Sequence, residues 1–160
     1  MNVTVNVFDP RDMQIATNEI AEYLADLQEK GNQICERLAS IGALRASIGF
    51  SSAIYPSGND VSISVEPISN GWAIHARGNA VLFIEFGAGA TLGYGHPEAK
   101  AEGYGPGTYN PDSDNWQRPG GWWYGKGQHT YGNPPAAAMY YAKEEVIRNI
   151  EQVAREVFGE

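Results

Sequence analysis

From Met13 to Ile41 the apolar residues stand at Met13, Ile20, Leu24, Leu27, Ile34, Leu38 and Ile41, and from Ile20 onward their spacing alternates between four and three. That spacing lays them along one stripe of a helix facing a partner. Gly31 takes one slot of the seam, where it either lets that partner approach closely or divides the segment into two helices. Asp9-Pro10-Arg11-Asp12 supplies the start: a capping carboxylate, proline at the first helical position and acid in the first turn. Gly42 is the predicted stop. A second helix is predicted after the cap Asn133-Pro134-Pro135, running to about Phe158. Its seam is Met139, Ala142, Val146, Ile150, Val153 and Val157, widened by Ile147, Ala154 and Phe158.

Between the helices the period changes to two. Val61-Ser62-Ile63-Ser64-Val65-Glu66 alternates strictly and predicts a strand. Asn70-Gly71 is a hairpin turn signal. The return strand sets Trp72, Ile74 and Ala76 on one face and Ala73, His75 and Arg77 on the other, until Gly78-Asn79 breaks it. Weaker alternations predict strands at Val3 to Val7 and over Ala43 to Tyr55, the latter carried by Ile48, Phe50 and Ile54. Pro56 to Asp60 reads as a turn cluster.

The longest apolar run, Val81-Leu82-Phe83-Ile84-Glu85-Phe86, holds a single carboxylate. A buried carboxylate is costly without partners, so Glu85 must face water or hold definite hydrogen bonds. Gly87 and Gly89 then suit an abrupt reversal through positive φ. From Ala90 to Gly132 follows an excursion rich in glycine and aromatics and nearly devoid of aliphatic residues, an arm expected to be ordered by a partner. Within it Trp122-Trp123-Tyr124 predicts a short strand returning through Thr130 and Tyr131. Neighbouring side chains on a strand face opposite sides, so one of Trp122 and Trp123 is expected in the core and the other on a subunit contact. The fold expected is α+β: one domain, residues 1–160, with an antiparallel sheet covered on one side by two long helices.

At 160 residues the chain suits a single modest core. Its formal charge of −8 argues against a general nucleic-acid binder. No run is long and apolar enough to span a membrane, and no leader is visible in Met1 to Val5. The lone Cys35 excludes an internal disulfide, favours synthesis in a cytoplasm, and within the helical pattern reads as an inert packing residue.

No chemical motif in the chain is complete. Gly120 to Gly127 matches a phosphate loop as far as Gly-x-x-x-x-Gly-Lys, but Gly127 replaces the magnesium-binding hydroxyl and Trp122-Trp123-Tyr124 would crowd the phosphates. Asn110, Asp112 and Asp114 have the spacing of a calcium loop, yet Asn115 and Gly121 stand where glycine and glutamate are needed. His75, His96 and His129 are scattered, which disfavours zinc. No catalytic, cofactor or metal residue is therefore assigned.

One resemblance links several of these stretches. Gly78-Asn79-Ala80-Val81 through Glu85-Phe86-Gly87-Ala88-Gly89 resembles the signature of the head–tail joining, or tail-completion, family of long-tailed phages and prophages. The likeness continues at Gly103 to Tyr109, Gly121 to Tyr124, and Thr130 to Ala136 with Met139, and at the helix ending Leu38 to Gly42. It implies a non-enzymatic virion protein of the neck or upper tail, small and α+β, assembled as a hexameric or dodecameric ring. Neighbouring connector, stopper or tail proteins would be its partners, and DNA only passing cargo. An acidic ring would resist sticking to that DNA. The subunit-contact candidates are Glu85, Phe86, Tyr104, Tyr109, Trp116, Trp122, Trp123, Tyr124 and Tyr131, since aromatics give large buried area at low entropy cost. Exposed aromatics also suit a carbohydrate- or cell-wall-binding module. A weaker third reading is an enzyme pairing Glu85 with His75 or His129.

Overall fold

The computed structural model describes residues 9–55, 58–104, 117–124 and 127–159, with Tyr124 described by its backbone alone. The Val3 to Val7 strand, Tyr109, Trp116 and the Asn110 to Asp114 turn lie outside the described residues. The fold is mixed α+β. Its order is α1 (Pro10–Ser52), β1 (Ser62–Ile68), β2 (Gly71–Arg77), α2 (Val81–Phe86), β3 (Trp122–Tyr124), β4 (Gln128–Thr130) and α3 (Ala138–Phe158).

Helix α1 starts as the sequence predicts, with the Asp9 carboxylate accepting from the Arg11 amide at 2.9 Å and Pro10 in the first turn. It ends ten residues later than predicted. The strand expected over Ala43 to Tyr55 is helix as far as Ser52, and Gly42 is an interior position, not a stop. The reason lies in small residues. Ala39, Gly42, Ala46 and Gly49 are all buried at steps of three and four, with buried Phe50 beside them, and form a helical stripe that aliphatic counting overlooks.

That stripe sets the packing. A Cβ on Gly42 would come within 2.6 Å of Ile74 Cδ1 and 2.7 Å of Val146 Cγ2; one on Gly49 would meet the Ala138 Cβ at 2.6 Å. Close approach thus belongs to Gly42 and Gly49. Gly31 neither breaks the helix nor touches a neighbour, having nothing within 4 Å of a built Cβ. The α1–α3 pair is antiparallel, running from Gly49 beside Ala138 to Arg37 in an ion pair with Glu156.

The hairpin β1–β2 pairs Ile63 with Ala76 and Val65 with Ile74, and its two-residue turn is Ser69-Asn70, one place earlier than predicted. It packs on α1. The second hairpin, β3–β4, is a separate two-stranded sheet pairing Trp122 with Thr130 and Trp123 with His129. Where α1, the first hairpin, α2 and α3 meet, Phe50, Ala80, Ile84 and Ala138 form the core, flanked by Tyr55, Val61, Ile63 and Met139. Cys35 is exposed, which corrects its reading as a packing residue.

Candidate functional site

The short helix α2 is held at both ends by groups from other elements. At its start the Asp60 carboxylate, at the foot of β1, accepts from the Asn79 amide at 2.7 Å, the Ala80 amide at 2.9 Å and the Asn79 side chain at 2.9 Å. The two backbone donors hold the Asp60 carboxyl below the ordinary aspartate range. At its end three carbonyls receive donors from the segment leading into α3. Phe83 O accepts from Asn133 Nδ2 at 2.7 Å, Ile84 O from the Ala136 amide at 2.7 Å, and Glu85 O from the Ala137 amide at 3.1 Å. Asn133 itself is buried and exchanges two backbone bonds with Ala88, at 2.9 and 3.0 Å. Gly87 and Gly89 adopt positive φ, as expected of the reversal.

The carboxylate of Glu85 completes this junction. Helix α3 begins after Ala137, a non-glycine residue at φ 48° with no capping side chain, so its first amides need an outside acceptor. Glu85 provides it: Oε2 accepts from the Met139 amide at 2.9 Å and Oε1 from the Tyr140 amide at 3.1 Å. Negative charge at a helix start is favoured by the helix dipole as well. Glu85 is 4% exposed, and His96 supplies a third partner with Nε2 3.2 Å from Oε1. His96 Nδ1 accepts the Glu98 amide at 3.1 Å, which assigns the ring hydrogen to Nε2 and makes His96 the donor to Glu85.

Aromatic rings close over the pair. Phe86 lies 4.5 Å from His96 and stacks on Tyr104 at 4.4 Å between centroids, while Tyr140 meets His96 edge-on at 6.0 Å. A shallow pocket of about 260 Å³ opens beside the pair, lined by Glu85 and His96 together with Glu98, Glu102, Tyr140 and Lys143. Lys143 bonds Glu98, which raises its ammonium above the ordinary lysine range.

The predicted contact residues thus divide. Glu85 and Phe86 are buried inside the chain, and Tyr104 is half-buried on Phe86. Trp122 is half-buried with its ring against Gly89, whereas Trp123 on the next position is 70% exposed. Tyr131 is 55% exposed. Trp123 meets His129 edge-on at 4.9 Å, and His129 meets Tyr131 at 4.8 Å. Neither histidine considered beside Glu85 is its partner: His75 lies 3.7 Å from Glu66, and His129 belongs to the outer aromatic row. The partner is His96, considered from the sequence only as a zinc ligand. The only pointer to it was Glu85 itself, since a buried acid demands donors without saying where in the chain they lie.

Among the described residues no group of three metal-binding side chains occurs, and no helix is long and apolar enough to cross a membrane. Compared with protein-family models, curated proteins and solved structures, the chain gives no match.

Proposed function

We propose that this chain is a structural protein of the neck or upper tail of a long-tailed phage, one subunit of a ring joining head connector to tail. The observation that carries the reading is the outer row Trp123–His129–Tyr131, three rings in contact on a small hairpin and open to solvent. Large aromatics at low entropy cost are what a subunit contact uses as anchors. The Glu85–His96 pair supports a non-enzymatic role. Both carboxylate oxygens and both ring nitrogens are engaged by the backbone or by each other, and the carboxylate ties α2 to the start of α3. In the same reading, the Glu85-Phe86-Gly87 signature is a device for locking α2 to α3, with the two long helices forming one side of the subunit.

The outer row also favours a second reading, because exposed aromatic rings bind sugars by stacking on them. Light scattering and negative-stain imaging of the purified protein separate the two. The expected result is a ring-sized particle, weakened by Trp123→Ala by about 2 kcal/mol or more at each interface. A monomer that retains polysaccharide through Trp123 would overturn the ring.

A further inference from the structure

A cleft of about 550 Å³ opens between the end of α1 and the segment leading into α3. Its walls include Ile54, Leu92, Pro134, Pro135 and the ring of Tyr141. Ile54 is 88% exposed and Leu92 39%, so the cleft presents hydrocarbon to solvent. Such a volume is in the range of small-molecule sites, which combine apolar walls with a few placed polar groups. One charged side chain lines it, Arg45. Among the described residues Arg45 is the one arginine that is half-buried, and no carboxylate pairs with it; Arg37, Arg77, Arg148 and Arg155, all exposed, each have one. Its guanidinium lies 5.3 Å from the centroid of the Tyr141 ring. A guanidinium set over a ring keeps its edge N–H groups free for a carboxylate, which it grips through two parallel bonds.

The rest of the wall decides what carries that carboxylate. Along residues 132–136 no backbone amide is left to donate. Gly132 gives its hydrogen to Thr130 Oγ1, Asn133 to the Ala88 carbonyl and Ala136 to the Ile84 carbonyl, while Pro134 and Pro135 have none. Ser52 spends its hydroxyl hydrogen on the Gly49 carbonyl. An extended peptide pressed against this wall would bury carbonyls that nothing there answers. A phosphodiester chain would bring several charges to a single cation. A free acid, whose polarity is confined to one carboxylate, meets Arg45 with its charge and the wall with its hydrocarbon.

We propose that this cleft binds a small monocarboxylic acid with a hydrocarbon body, its carboxylate on Arg45 and its body against Ile54, Leu92, Pro134 and Pro135. All of these groups belong to one chain, so the site does not rest on the ring proposed above.

Titration with octanoate, followed by NMR of the backbone amides, tests the site. Saturable shifts are expected at Ile54, Leu92, Gly132 and Tyr141. Octyl alcohol has the body without the charge and acetate the charge without the body; each is expected to bind at least tenfold more weakly. Arg45→Gln is expected to weaken octanoate at least tenfold. Leu92→Glu, which sets a competing carboxylate on the cleft wall, is expected to do the same, and its place on an exposed turn keeps the test decisive should Arg45→Gln fail to fold. The capped peptide acetyl-Leu-Glu-Leu-amide is expected not to bind. No saturable shift, shifts confined to other parts of the chain, equal binding of octyl alcohol or acetate, octanoate affinity unchanged in either folded variant, or tighter binding of the peptide would each overturn the proposal.

Discussion

Two histidine-centred aromatic groups lie on this molecule, built from the same kinds of residue and treated oppositely by the fold. In the inner group His96 sits among Phe86, Tyr140 and, through Phe86, Tyr104, with its Nε2 bonded to a buried carboxylate. In the outer group His129 sits between Trp123 and Tyr131 on a two-stranded ribbon, and all three are exposed. Aromatic content does not decide which group goes inside. The inner group is fixed by polar demands: α3 has bare amides at its start, Glu85 answers them, and His96 satisfies what remains of Glu85. The outer group answers no such demand, which leaves its rings available to another surface.

The sharpest way to break the contrast is to spoil the junction beneath the inner group. A Cβ on Gly132, at φ +93°, would fall 1.9 Å from the Ala88 carbonyl oxygen, a backbone atom that cannot swing aside. Gly132→Ala is expected to rupture the Ala88–Asn133 bridge and lower stability by about 4 kcal/mol, beyond the usual range for point changes. Urea denaturation checks it. Glu85→Gln comes next, because the amide must point one NH₂ toward donors that need an acceptor. A loss of about 3 kcal/mol is expected from buried groups left unpaired. Trp122→Ala should cost roughly 2 kcal/mol in monomer melting, below the full-burial range because the ring is half-buried. Trp123→Ala should change monomer melting by less than about 0.5 kcal/mol while altering assembly. Equal melting losses for both tryptophans would erase the distinction between inside and outside.

Acid provides the mildest probe. The Asp60 carboxyl is held below its ordinary value of 3.8 by the Asn79 and Ala80 amides. Its contribution to stability is therefore complete above that value and is lost as pH falls through the lower, folded one. Glu66, lowered mainly by its hydrogen bond from Arg77, acts in the same direction. The urea midpoint is expected to decline below about pH 4, and Asp60→Asn should flatten part of that decline while starting from a lower plateau.

The elements legible in the sequence were those written in large apolar residues or in turn chemistry. The start of α1, both strands of the first hairpin, the positive φ of Gly87 and Gly89, the Trp122 ribbon and the end of α3 all fall in this group. The last ten residues of α1 depart from the expectation because the buried stripe there runs on through alanine and glycine, whose role is to let a neighbour come close and which add little to a hydrophobic count. Isoleucines at 48 and 54 supplied a false alternation, and both are exposed. For the site, Glu85 was legible as a residue in need of partners. Its partners were not, because Met139 and Tyr140 contribute backbone amides, which no side-chain pattern announces.

The two-bond bridge between Ala88 and Asn133 has a consequence for how the site comes together. It pins together the entry and exit of everything between them, so that region behaves as an inserted cassette with its ends already closed. His96 and Trp122 both lie inside that closed span, so the partner of Glu85 and the aromatic ribbon are delivered from one pinned pair of ends.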